Sequence, residues 1–364
     1  MADDHLDYHR IAENLVAGQG YVQGEGFAYG RQPGWPVLLA IAYFLFGSYS
    51  QIGVWVTGAC GMLTVVLTYR LTRQVISKPS HRLGLCAACM VALDPFLIVS
   101  DQTLLTESLY TLLLMVSVLI LVRKYPSPLY GAVIGLLTLV RSNGIGLLIG
   151  AVGRYRSREW IGLLIALGIV LSGWIVRNGV VVGSFSPFAP QTGQLLLGSY
   201  NQYTLNIPDA YGMWLYPKEL ADGAPYAALP YLEREAAWAA VGWAFIRDHV
   251  ADIPVMMSRR VARLLLQPAY IPRNGLSESL FFVVQPLFLG FLWIGCLSST
   301  LFILRARSKW GRSLRDFLGL VLMLMLPALL TAALLYGEAR FRLVYHPLLV
   351  VIIVGGLSTI RVRR

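Results

Sequence analysis

The chain has 364 residues, 56% of them hydrophobic and only 13% charged, against about 25% charged in ordinary soluble domains. Its net charge of +11 does not mark a nucleic-acid binder. The bases sit in short clusters between apolar runs, which is the positive-inside pattern of a membrane protein, and no zinc-finger, helix-turn-helix or RNA-binding motif occurs in the sequence. With a mean hydropathy of +0.62, the expected fold class is all-α, a polytopic membrane helical bundle.

Residues 1–32 are polar, with five acids (Asp3, Asp4, Asp7, Glu13, Glu25) against two bases (Arg10, Arg31). Leu6, Ile11 and Leu15 give this stretch a helical period. Taken alone, the acids suit either a catalytic cluster or a solvated amino-terminal helix. No apolar h-region precedes them, so no cleavable leader is expected. The apolar run 35–46 is about 18 Å long as a helix, short for a span, and is bounded by Pro33, Pro36 and Gly47. It is expected to lie in or dip into the interface.

The run 52–69 is the first full span, followed by Arg70, Arg73, Lys78 and Arg82 with no acid among them. Runs 83–99 and 104–122 form a hairpin with Asp101 in its outer turn and Glu107 in the first turn of the second helix. Asp94-Pro95 reads as a kink with a satisfied carboxylate. Runs 129–140 and 145–152 are two short pieces broken at Arg141-Ser142-Asn143-Gly144, and 160–176 crosses outward. Residues 178–277 are the longest polar stretch, with seven acids balancing seven bases. They are too rich in Tyr, Trp and Pro for a disordered linker. Within them 232–266 reads as one amphipathic, interfacial helical pattern, with Arg259, Arg260 and Arg263 facing away from Val255, Val261 and Leu265. Runs 280–304, 317–336 and 343–360 are further spans. Between the first two lie Arg305, Arg307, Lys309, Arg312 and Arg315, with Asp316 the one acid among them, the strongest cytoplasmic marker in the chain.

Cys60, Cys86, Cys89 and Cys296 all lie in apolar runs. The Cys86/Cys89 spacing is read as small residues at a helix contact, and no disulfide is expected. The chain therefore divides into 1–50, an acidic loop with juxtamembrane helices; 51–177, a transmembrane bundle; 178–277, a large loop with amphipathic helices; and 278–364, the last transmembrane helices. Charge bias places the carboxyl terminus and 70–82 in the cytoplasm. If 35–46 is interfacial, residues 1–32 share the outer face with Asp101, Glu107, Arg141, the large loop and Arg340/Arg342. That choice gathers the non-cytoplasmic charges on one face.

Several motifs, in order, carry a resemblance. Asp4, Tyr8, Ile11-Ala12, Asn14-Leu15, Gly18 and Gly20-Tyr21, then Arg31 and Pro33-Gly34-Trp35-Pro36, resemble the first external loop of the GT-C glycosyltransferases. Within them the similarity is to the protein O-mannosyltransferase and aminoarabinose transferase group. Leu105-Thr106-Glu107-Ser108-Leu109 resembles the second acidic motif. Leu139-Val140-Arg141-Ser142-Asn143-Gly144 resembles the broken helix pair, and Trp174-Ile175-Val176-Arg177-Asn178 the start of the large loop. Arg340-Phe341-Arg342 with His346-Pro347-Leu348 resembles the late external turn. The resemblance implies a GT-C fold in the cell (inner) membrane and an inverting transfer on its extracytoplasmic face. The sugar, hexosyl or pentosyl, would pass from a polyprenyl-phosphate donor to a lipid, glycan or protein acceptor. No cofactor would be required, although a divalent metal is compatible. The family carries a helix ahead of the acidic loop, whereas here Met1 lies three residues before Asp4. This implies either an upstream start or a truncated, inactive relative. A transporter or flippase is the reading from another class, favoured only by the break at Arg141–Gly144.

The chemistry needs a carboxylate that stays ionised and takes the acceptor's proton. The family position falls on Asp4, with Asp3 as the fallback and Asp7 as a solvated or supporting group; Tyr8 shares the Asp4 face one turn on. The departing phosphate needs fixed positive charge, for which Arg31 matches the family's base. Arg340 and Arg342 are further candidates, since a guanidinium suits phosphate oxygens, and His346 is a modest one. Glu107 either orients the acceptor, holds a metal together with Asp4, or is an ordinary carboxylate in a helix's first turn.

Overall fold

The computed structural model of the chain describes residues 4–23, 26–27, 30–76, 80–267, 278–306 and 309–360. Among them lie sixteen α-helices: α1 (Asp4–Val16), α2 (Gly34–Phe46), α3 (Ser50–Val75), α4 (His81–Ala92), α5 (Pro95–Asp101), α6 (Glu107–Arg123), α7 (Ser127–Val140), α8 (Ser157–Val182), α9 (Thr192–Ser199), α10 (Gln202–Asn206), α11 (Tyr231–Asp248), α12 (Ile253–Leu266), α13 (Glu278–Arg305), α14 (Lys309–Leu334), α15 (Ala339–Leu343) and α16 (His346–Ile360). Two two-residue strands, Val22–Gln23 and Gly26–Phe27, pair antiparallel. Four helices are long and apolar enough to cross a membrane, those at Ser50–Val75, Ser157–Val182, Val283–Arg305 and Arg312–Leu334; the bent pair α4–α5 makes a fifth if it is one span. The chain is an all-α, polytopic helical protein.

The chain forms two units in space, and the four stretches read from the sequence regroup between them. The first takes Met1–Pro187, Ile271–Met325 and Leu343–Arg364; the second takes Phe188–Tyr270 and Leu326–Arg342. In the first unit, α1 buries Tyr8, Ile11 and Ala12, spaced three and four residues apart as one helical face requires. Tyr8 and Ala12 pack with Trp35, Leu39 and Tyr43 of α2. The Trp35 indole donates to the Leu104 carbonyl at 2.9 Å, and the His9 ring meets the Tyr43 hydroxyl at 2.8 Å. Along α3 the buried hydroxyls of Thr64, Thr68 and Thr72 each donate to the carbonyl four residues back at 2.8–2.9 Å. A polar stripe inside an apolar bundle is thus satisfied within its own helix. Gly131 lets α7 close on α8, since a Cβ there would lie 2.1 Å from the Leu163 carbonyl oxygen.

The kink expected at Asp94-Pro95 is a 58° bend between α4 and α5. Asp94 caps α5, accepting from the Phe96 and Leu97 amides at 2.9 and 3.4 Å. Its other oxygen meets His346 Nδ1 at 2.7 Å, with both side chains fully buried. α7 ends at Arg141, whose extended backbone leads into a 3-10 helix over Ser142–Ala151. Ten residues is long for that geometry, which normally runs for three or four.

Two expectations change. At 15 residues, α16 is about 23 Å long, short of a ~30 Å hydrocarbon core. Every residue from 343 to 356 is buried; a helix apolar on all sides belongs inside a bundle, and α16 packs against α13, α4 and α3. Cys86 and Cys89 lie on the exposed face of α4 rather than at a helix contact.

In the second unit, Leu196, Tyr200, Phe245 and Met256 form one core. Leu197, Leu220 and Trp238 form another. The segment read as one helix over 232–266 is two, α11 and α12, separated by a 3-10 turn at Val250–Asp252 with Pro254 in the first turn of α12. Its polar face is also revised. Met256, Arg260 and Leu264 make the buried stripe, while Val255 is exposed. Arg260 can lie inside because its guanidinium donates to the carbonyls of Ser199, Ala333 and Leu334 at 2.7, 3.2 and 3.3 Å and stands 4.1 Å from the Tyr200 ring centre. Buried charge is tolerated when every donor finds an acceptor.

Candidate functional site

In the first unit, one face of α1 meets the chain just ahead of α2. Arg31 Nη2 donates to Asp4 Oδ1 at 2.6 Å and to Asp7 Oδ2 at 2.7 Å. Asp4 and Asp7 are three residues apart in a helix and so share a face, and one guanidinium spans both. Asp7 is therefore a full partner of Arg31 rather than a solvated bystander. The Arg31 guanidinium carbon stands 5.3 Å from the centre of the Tyr8 ring. Burial works against the Arg31 charge, but Tyr8, Asp4 and Asp7 outweigh it and hold its pKa above the ordinary arginine value. This cation does not titrate under any working condition. Asp3 lies outside the described residues.

A second ion pair lies beside the first. Arg141 Nη1 donates to Glu107 Oε1 at 2.8 Å, with the Glu107 side chain only 2% exposed. Tyr8 feels both pairs. Burial raises the pKa of its phenol, Arg31 and Arg141 oppose the rise, and Asp4 and Glu107 reinforce it. Two carboxylates and two guanidiniums thus act on one buried tyrosine.

The backbone that presents Arg31 is held from several sides. The Tyr21 hydroxyl lies 3.1 Å from the carbonyls of both Arg31 and Gln32, and burial pushes its pKa well above the usual value. Arg177, near the end of α8, donates to the Tyr21 carbonyl at 3.3 Å and lies over the Tyr21 and Trp174 rings at 5.4 and 4.8 Å. Gln32 donates to Ser142 Oγ at 2.9 Å and to the Pro187 carbonyl at 3.2 Å. Sequence reasoning passed over Arg141 and Arg177 as site residues. The signal for both was their place in the motifs that carry the family resemblance.

The remaining candidates have partners of their own. Arg340 pairs with Glu338 in the second unit. Arg342, also there, is buried and donates to the carbonyls of Leu264, Leu265 and Gln267 at 2.7–3.0 Å, closing the end of α12. His346 is sealed against Asp94, which makes it an internal tie rather than an open phosphate ligand. Asp4 and Glu107, the pair expected to hold any metal, are each engaged by a guanidinium in this structure, and no three His, Cys, Asp or Glu side chains converge among the described residues.

No family model matches the chain, and no curated protein does. Among solved structures it is similar to an oligosaccharyltransferase, AglB, from Archaeoglobus fulgidus. Against the complex with an inhibitory peptide and a dolichol-phosphate, identity is 15% over 99% of this chain and 46% of that one, with a TM-score of 0.47. Against the apo form the values are 15%, 99%, 47% and 0.48. Against the complex with zinc and sulfate they are 16%, 99%, 45% and 0.47. The chain spans less than half the length of these proteins, and a likeness of this degree assigns no activity.

Proposed function

We propose that the chain is a membrane glycosyltransferase that moves a sugar from a polyprenyl-phosphate carrier to an acceptor hydroxyl on the extracytoplasmic face of the cell membrane. The observation that carries this reading is Arg31 held between Asp4 and Asp7. Displacement of a phosphate from an anomeric carbon needs a proton acceptor and a fixed cation close together, and this cluster contains both.

The donor phosphate competes with Asp4 for Arg31, while Asp7 keeps the guanidinium in place and the Tyr8 ring packs beneath it. Asp4, released from its ion pair, takes the proton from the acceptor hydroxyl as that oxygen bonds to the anomeric carbon. The bond from this carbon to the phosphate oxygen breaks, and its electron pair leaves on the phosphate, where Arg31 offsets the developing charge. A single displacement of this kind inverts the anomeric centre. The resemblance of residues 4–47 to the GT-C first loop supports the same reading.

The test is single-turnover transfer from a panel of radiolabelled polyprenyl-phosphate hexoses and pentoses in reconstituted membranes, with donor binding measured separately. Asp4→Asn keeps the shape of the side chain but removes the proton acceptor, so transfer falls by about two to four orders of magnitude while donor binding survives. Unchanged transfer by this variant removes Asp4 as the base. One observation favours a transporter instead: the α4–α5 bend adds a second discontinuous helix to the break at Arg141, and such breaks line transporter sites. Flipping of the lipid-linked sugar without transfer by the parent chain would select that reading.

A further inference from the structure

Within the first unit, α3, α4, α5 and α6 enclose a cavity of about 170 Å³ that shares no residue with the Asp4–Arg31 cluster. A water takes about 30 Å³ of liquid, so a group of several heavy atoms fits. Met62 and Ile98 line it and are exposed, so its mouth opens on the apolar side of the helices. Two glycines of α3 make the room. A Cβ on Gly58 would meet nothing within 4 Å, and one on Gly61 would lie 1.9 Å from Asp101 Oδ2.

The polar groups of this cavity are all of one kind. Ser108 spends its hydroxyl proton on Asp101 Oδ1 at 2.6 Å, Thr64 on the Cys60 carbonyl at 2.9 Å, and Thr111 on the Glu107 carbonyl at 2.7 Å. No Lys or Arg is among the lining residues. What remains toward the cavity is acceptor capacity: the hydroxyl lone pairs and the Asp101 carboxylate. A phosphate finds no donor here, and an alcohol brings a single O–H and no charge to set against the Asp101 carboxylate. A group made only of donors, carrying positive charge on an apolar stem, matches both the lining and the mouth.

We propose that this cavity binds a primary alkylammonium group entering from the bilayer side, with its N–H groups on Asp101 and its stem between α3 and α5. The ammonium comes either from an aminophospholipid headgroup or from a free amine. The test is the shift in thermal unfolding of the full chain in phosphatidylcholine nanodiscs, titrated with hexylammonium, hexyltrimethylammonium or hexanol, and in a separate arm with short-chain phosphatidylethanolamine. Hexylammonium is expected to bind saturably and about tenfold or more tighter than the trimethyl compound, which has no N–H to give. Asp101→Asn should lose a similar factor. Gly58→Leu fills the open space, improves helix propensity, leaves Asp101 untouched and should abolish binding, so the proposal stays testable if Asp101→Asn fails to fold. Phosphatidylethanolamine that competes with hexylammonium identifies the lipid as the source; failure to compete identifies a free amine. Equal binding of the ammonium and trimethylammonium compounds, or unchanged binding by Gly58→Leu, overturns the proposal.

Discussion

Arg141→Met removes the guanidinium that stands 2.8 Å from Glu107, whose side chain is 2% exposed. Two unit charges about 4 Å apart interact by about 4 kcal/mol at an effective dielectric of 20, and removing one partner of a buried pair costs about 3–5 kcal/mol. Glu107→Gln should cost less, because Arg141 retains 15% exposure and can turn toward water. The double variant Glu107→Gln/Arg141→Met should recover much of the loss, giving a coupling energy of about 2–3 kcal/mol. The assay is unfolding in mixed micelles with increasing SDS, followed by tryptophan fluorescence for the parent, both single variants and the double variant. It needs no substrate, so the result is independent of the proposed reaction. Additivity within about 0.5 kcal/mol would show that the two groups do not depend on each other and would refute the coupling.

Three further outcomes are expected. Arg31→Ala should lower transfer about a hundredfold through a loss of ~3 kcal/mol at the transition state; unchanged turnover of a polyprenyl-phosphate sugar would reject its role on the phosphate. Glu235 is held above its ordinary value of 4.5 by burial, against the amides of Gln194 and Gly193 and the charge of Arg234. As pH rises past 4.5 the unfolded chain releases this proton first, so stability falls until the folded carboxyl ionises too. Glu235→Gln should flatten that decline, and parallel pH profiles of unfolding for variant and parent would contradict it. With the native cysteines replaced, a cysteine at Gln23 should react with an impermeant reagent in intact cells and one at Arg156 should not; the reverse pattern would invert the topology.

Apolar run length made the bundle legible, because a helix must be apolar for its whole crossing whatever it packs against. The break at Arg141 and the bend at Asp94-Pro95 were legible too, since proline and a charged run interrupt such a helix locally. Contacts across the sequence were not. Arg260 reads as a polar-face residue until the carbonyls of Ser199, Ala333 and Leu334, more than sixty positions away, surround it. Asp7 is a different case, since its spacing from Asp4 already placed both on one face. What the sequence lacked was the position of Arg31, fixed by Tyr21, Gln32 and the end of α8. Motif order supplied Asp4, Tyr8 and Arg31 together, but the Glu107–Arg141 pair required the fold.

The tie between Asp94 and His346 joins residues 252 positions apart. At about 5–20 residues per second, roughly 13–50 s of synthesis separate the ribosome's addition of the one from the other. Throughout that interval the carboxylate at the bend has its α5 amides but not its imidazole, and the space later filled by α16 stands open against α3 and α4. The nascent bundle therefore has a late keystone. Its earlier helices are inserted long before the piece that locks their geometry emerges, so a factor that shelters a half-closed bundle in the membrane has its window before His346 is made.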